Sequence, residues 1–96
     1  MRFDMENAIN IQGHAQESVA DGGQTAEKLT TGVYDVTAAT ATDIYIKVDP
    51  LDATDVSSST GYLIRSGQTI PVQIPANGAY IGVVGAAAII HKVASF

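Results

Sequence analysis

Apolar and polar residues alternate with a period of two through much of the chain, and glycine or a polar cluster interrupts each run. Residues 42–48 carry the cleanest pattern. Ile44, Ile46 and Val48 fall on one side and Tyr45 and Lys47 on the other, as successive side chains of a strand must. β-Branched residues dominate there, and they pack well on a pleated surface. In Ile70-Pro71-Val72-Gln73-Ile74-Pro75, the three aliphatic residues share one face, and Pro71, Gln73 and Pro75 share the other. Two prolines at a spacing of two remove two ladder donors from the same side, which predicts an edge strand.

Further strands are expected at residues 33–38, 62–65, 80–84 and 88–93. Asn77-Gly78 is a strong hairpin signal, because both central residues of a type I′ turn need positive φ. Ser66-Gly67 signals another turn, and the short link Ala39-Thr40-Ala41 predicts pairing of the strands on either side. The stretch 61–85 therefore reads as successive antiparallel hairpins. Residues 51–60 are acidic and serine-rich and read as a solvated surface loop. With turn signals roughly every 8–12 residues and no helical period, the expectation is an all-β fold. It is an antiparallel, jelly-roll-like β-sandwich of about 6–8 short strands.

The N-terminal segment is less regular. Residues 8–12 suit a strand that extends as far as Val19, and Asp21-Gly22-Gly23-Gln24 is a turn by composition. Residues 1–24 thus read as an arm or as the first strand or strands, and residues 25–96 as the body. As an arm, the segment offers Phe3, Ile9 and Ile11 to a partner. The uncharged run from Val83 to Ile90 is either two buried strands joined by a small-residue turn or a subunit contact through Val83, Val84, Ile89 and Ile90. The second reading, with the absence of cysteine, predicts a homo-oligomer.

Composition narrows the function. Ten acidic residues face five basic ones, for a formal charge of −5, and Arg2, Lys28, Lys47, Arg65 and Lys92 are scattered. Nucleic-acid binding draws on clustered Lys and Arg, so it is not expected. No apolar run approaches the length of a membrane span, and MRFDMENAIN lacks the apolar centre of a signal peptide.

Candidate chemistry is thin. Asp49, Asp52 and Asp55 recur every three residues in one loop, and such oxygens can hold Ca²⁺. The glycine and terminal glutamate of an EF-hand are missing, and Asx turns account for the spacing equally well. His14 and His91 are the only imidazoles, too few for a histidine- or cysteine-based metal site. The serines lie in a loop without a nucleophile elbow. Gly82-Val83-Val84-Gly85 lacks the lysine of a phosphate loop. No catalysis and no cofactor are expected.

The layout of residues 33–93 resembles a known kind of protein. Its parts are Tyr45-Ile46-Lys47-Val48, an acidic loop, Gly61-Tyr62-Leu63-Ile64-Arg65-Ser66-Gly67, then Ile70 to Pro75, Tyr80-Ile81-Gly82-Val83-Val84 and a final Ile89-Ile90-His91-Lys92-Val93. In order and pattern they are similar to small virion proteins of tailed bacteriophages, in particular head decoration, or cement, proteins. The resemblance implies an all-β protein on the outer surface of the capsid, made in the host cytoplasm, with the major capsid protein as partner. A carbohydrate- or receptor-binding module of a tail or fibre is the alternative. Against it, the chain has no tryptophan, and its four tyrosines fall within strands where packing explains them.

Overall fold

The computed structural model describes residues 16–95. They form seven strands and no helix: β1 (Gln16–Val19), β2 (Gly32–Ala38), β3 (Ile44–Asp49), β4 (Tyr62–Ile64), β5 (Thr69–Ile74), β6 (Tyr80–Val84) and β7 (Ala88–Ser95). One antiparallel sheet has the order β1-β7-β2-β5 and the other β4-β3-β6.

The pairing follows a two-stranded ribbon rolled on itself. At its closed end β3 pairs with β4, and next β2 pairs with β5. Residues 22–29 then run beside β6, through the bridges Gln24–Gly82 and Leu29–Ala79. Backbone bonds join Gly22 N to Val83 O (2.8 Å) and Thr25 N to Ile81 O (3.0 Å). At the open end β1 pairs with β7. Successive rungs alternate between the two sheets, and the pairs β2–β7 and β3–β6 are the seams where turns of the roll meet.

This roll overturns most of the expected hairpins. β2 and β3 lie in different sheets, as do β4 and β5, and β5 and β6, so the short links between them are corners. Only β3 and β4 are consecutive and paired, and they are joined by the long loop of residues 50–61. A local pattern cannot distinguish a corner from a hairpin, since both need a tight turn between two alternating runs. Asn77-Gly78 illustrates the difference. No residue other than glycine has positive φ among the described residues, so Asn77 is not left-handed and the turn is not type I′. Gly78, at φ 81°, instead closes a turn in which its N–H donates to Pro75 O at 2.9 Å.

The inward residues of the strands form one core. Tyr34, Val36 and Ala38 come from β2, Ile44 and Ile46 from β3, Ile81 and Val83 from β6, and Ala88 and Ile90 from β7, with Val19, Ile64, Ile74 and Ala79 completing it. Val19 is 2% exposed, so β1 is part of the body. Of the segment 1–24, β1 and the bridge residue Gln24 thus belong to the sheets, with a turn between them; residues 1–15 lie outside the described residues. β5 is an edge strand, as Pro71 within it requires, and Pro75 follows directly after it.

The 50–61 loop is not the solvated excursion that its composition suggests. Ala53 and Val56 are buried, at 0% and 7% exposure, beneath an otherwise polar loop. The loop lies on the outer face of the β4-β3-β6 sheet, where Gly82 and Gly61 leave room for it. A Cβ on Gly82 would collide with the Ala53 backbone, and one on Gly61 would come within 2.7 Å of Tyr45 Cβ.

Candidate functional site: an open apolar groove

The two long sides of the roll are closed differently. On the β1 side, residues 22–29 occupy the free edge of β6. Buried Thr25 binds Ile81 twice, donating its N–H to Ile81 O and accepting from Ile81 N at Oγ1. The gap there is lined by Leu29, Ile90 and the Tyr34 ring together with polar side chains, several of which are already engaged. Glu17 Oε2 accepts from Ala26 N at 2.7 Å. An extra residue, Val93, bulges β7 so that Lys92 falls opposite Tyr34. The ammonium of Lys92 sits 5.6 Å from the centre of that ring and donates to Thr30 Oγ1 at 2.8 Å.

The other long side is open. β4 and β5 are the last strands of their sheets, and nothing among the described residues pairs with their outer edges. Between them lies a groove of about 450 Å³ lined by Ile46, Val48, Tyr62, Ile70, Pro71 and Val72. These are inward positions that run out of partners at the rim, apart from Pro71 on the β5 edge. Ile46 is buried, whereas Val48 is 37% and Tyr62 64% exposed. The lining is aliphatic, with the Tyr62 ring and hydroxyl as its one aromatic and polar feature.

The carboxylates of the acidic loop serve the loop itself. Asp49 Oδ1 accepts from Leu51 N at 2.8 Å and from Asp52 N at 3.1 Å, and these backbone bonds hold its pKa below the usual value. Asp52 accepts from the hydroxyl and the N–H of Thr54, which lowers its pKa in the same way. Asp55 pairs with Lys47 at 2.7 Å and raises the lysine pKa. Among the described residues, no group of three or more His, Cys, Asp or Glu side chains is arranged to hold a metal ion. His91 is half-buried on the outer face of its sheet, across from Asp35 and Gln16, and is not a core residue.

The expected contact residues are dispersed. Val83 and Ile90 are core residues, at 0% and 2% exposure, and offer nothing to a partner. Val84 and Ile89 are half-buried on outer faces of different sheets. Phe3, Ile9 and Ile11, like His14, lie outside the described residues. Sequence reasoning missed the groove. Its signals were Val48, an aliphatic position at the end of an inward-facing run, and the proline-marked edge of β5. Tyr62 was also misjudged, because packing does not explain a ring that is largely exposed. Comparison with protein-family models, curated proteins and solved structures finds no match to this chain.

Proposed function

We propose that this chain is a structural virion protein of the capsid decoration type, which binds the outside of an assembled phage head and stabilises the shell without catalysis. Its fold in this reading is a jelly-roll β-sandwich. Counting residues 22–29 as a strand gives the rung order of a rolled eight-strand ribbon, two four-stranded sheets with a single core between them, which supports that reading. The observation that carries the functional proposal is the open groove with its two free strand edges. It is a surface built for a protein segment, on a body whose polar clusters are spent on local structure.

The mechanism is mass action. A protein that binds the closed shell, where neighbouring capsomers present a composite surface, and not the separated subunits shifts the equilibrium toward the shell. The acidic surface, with a formal charge of −5, disfavours adhesion to packaged nucleic acid. The test mixes the purified chain with intact heads of the source phage and, separately, with their dissociated capsid subunits. Co-sedimentation with heads alone, and a higher temperature of head disruption, are expected. Failure to bind heads overturns the proposal.

Exposed Tyr62 favours a second reading, a sugar-binding module of a tail or fibre, since sugars stack on exposed rings. The groove beside it supplies aliphatic side chains, whereas a sugar's hydroxyls need convergent polar groups. A glycan screen in which Tyr62→Ala abolishes binding would establish this reading over the first.

A further inference from the structure

The groove between β4 and β5 has a candidate occupant in the chain's own sequence. In residues 8–12, Ile9 and Ile11 alternate with Ala8, Asn10 and Gln12, a five-residue strand pattern without a charge. A segment laid in an apolar groove must bring aliphatic side chains on one face and no charge that would be desolvated. Residues 3–6, Phe-Asp-Met-Glu, carry two carboxylates and meet this condition poorly.

The two edges of the groove are unequal. Pro71 stands opposite Asp35 within the β2–β5 ladder, and its missing N–H leaves β5 poor in donors toward the groove. The edge of β4, Tyr62–Ile64, has no proline. An entering strand therefore pairs with β4 and rests its aliphatic face against Val48, Ile70 and Val72, in the manner of β-strand addition.

Reach decides whose segment enters. Residue 16 begins β1, at the opposite edge of its sheet from β5. Three strand spacings separate these edges, about 14 Å, and the groove lies beyond the far edge, toward the second sheet about 10 Å away. Four extended residue steps, from residue 12 to residue 16, cover at most about 14 Å. The segment cannot span its own sheet and also turn into its own groove.

We infer that the β4–β5 groove receives residues 8–12 of a second copy of this chain, added as a strand beside β4. Reciprocal exchange closes as a twofold dimer and head-to-tail donation closes as a ring. The inference concerns the chain alone in solution; on a head, a capsid segment would have to displace the exchanged strand from the same groove.

The test is sedimentation of the full-length chain over a hundredfold concentration range, with Ile9→Asp/Ile11→Asp and Tyr62→Glu as variants. The unaltered chain is expected to sediment as a dimer or larger. Both variants are expected to sediment as monomers with unchanged far-UV circular dichroism. Because the chain has no cysteine, mixing Ile11→Cys chains with Tyr62→Cys chains under oxidation should yield a disulfide joining one of each. A monomer at every concentration, an oligomer that survives both variants, or no disulfide joining an Ile11→Cys chain to a Tyr62→Cys chain would overturn the inference. So would unfolding of the Ile9→Asp/Ile11→Asp chain, which would make the segment part of its own core.

Discussion

The carbonyl oxygen of Ala53 rests against the Cα of Gly82, leaving no space for a side chain there. This contact fastens the 50–61 loop to β6, with Gln24 Oε1 accepting the Ala53 N–H at 2.8 Å from the far side. Gly82→Ala is expected to destabilise the protein by about 1–3 kcal/mol, the usual range for overpacking. Gln24→Ala, which removes one hydrogen-bond acceptor, is expected to cost about 1 kcal/mol. Urea denaturation of both variants checks the size and the order of the two effects.

The turn before β6 separates two adjacent residues by conformation. Asn77 has an ordinary negative φ, so Asn77→Ala is expected to change stability by less than about 0.5 kcal/mol. Gly78 has φ 81°, and a Cβ there would lie 2.7 Å from Leu29 O. Gly78→Ala is expected to cost about 1–2 kcal/mol from the left-handed backbone, with the collision adding to it. A type I′ hairpin would instead make both positions sensitive, and thermal melts of the two variants distinguish these cases.

Truncation divides the N-terminal segment at β1. Removal of residues 1–15 keeps β1 and every core residue named above in the chain, and the shortened chain is expected to keep its strand spectrum. Removal of residues 1–20 also deletes Val19 from the core and uncovers the edge of β7. Loss of a buried Val together with a strand ladder is expected to cost several times about 1 kcal/mol, enough to unfold much of a marginal domain. Circular dichroism and amide exchange on the two truncations provide the measurement.

The acidic loop carries the pH dependence. Asp49 and Asp52 have pKa values lowered in the folded state from 3.8 by the bonds they accept. Their contribution is complete above about pH 4 and disappears as pH falls through the lowered values, when protonation weakens those acceptors. Lys47 shifts the other way, upward from 10.5, so its pairing with Asp55 persists through neutral and mildly alkaline pH. The amides of Leu51, Asp52 and Thr54 are expected to exchange slowly at pH 5, after correction for intrinsic rates, and to lose protection below about pH 3. Uniform protection down to pH 2 would contradict this.

The strands were legible because each is a local pattern. Ile44, Ile46 and Val48 alternate regardless of which neighbours they meet, and Pro71 and Pro75 mark an edge through their own chemistry. Pairing was not legible in the same way. Whether Ala39-Thr40-Ala41 folds one strand back on the last or carries the chain to another layer depends on partners up to a whole chain length away. The buried loop escaped notice for a related reason. Ala53 and Val56 are single small apolar residues in a polar stretch, and their burial depends on Gly82 and Gly61, which lie elsewhere in the sequence. The groove is defined by what β4 and β5 lack, and a pattern of residues does not announce a missing neighbour.

The pairing of β1 with β7 also sets an order in time. During synthesis the first described strand emerges long before β7, the strand it pairs with, and Val19 has no complete core to enter until Ala88 and Ile90 follow. β3 and β4 can meet early, so the structure is expected to grow from that closed end outward, slowly, as in other folds dominated by distant contacts. A nascent chain exposed as far as Gly85 would hold β2 paired with β5 alone, with the β3–β6 seam available and the β2–β7 seam still lacking one strand. Newly made chains are therefore most exposed to mispairing with one another in the interval before β7 is released.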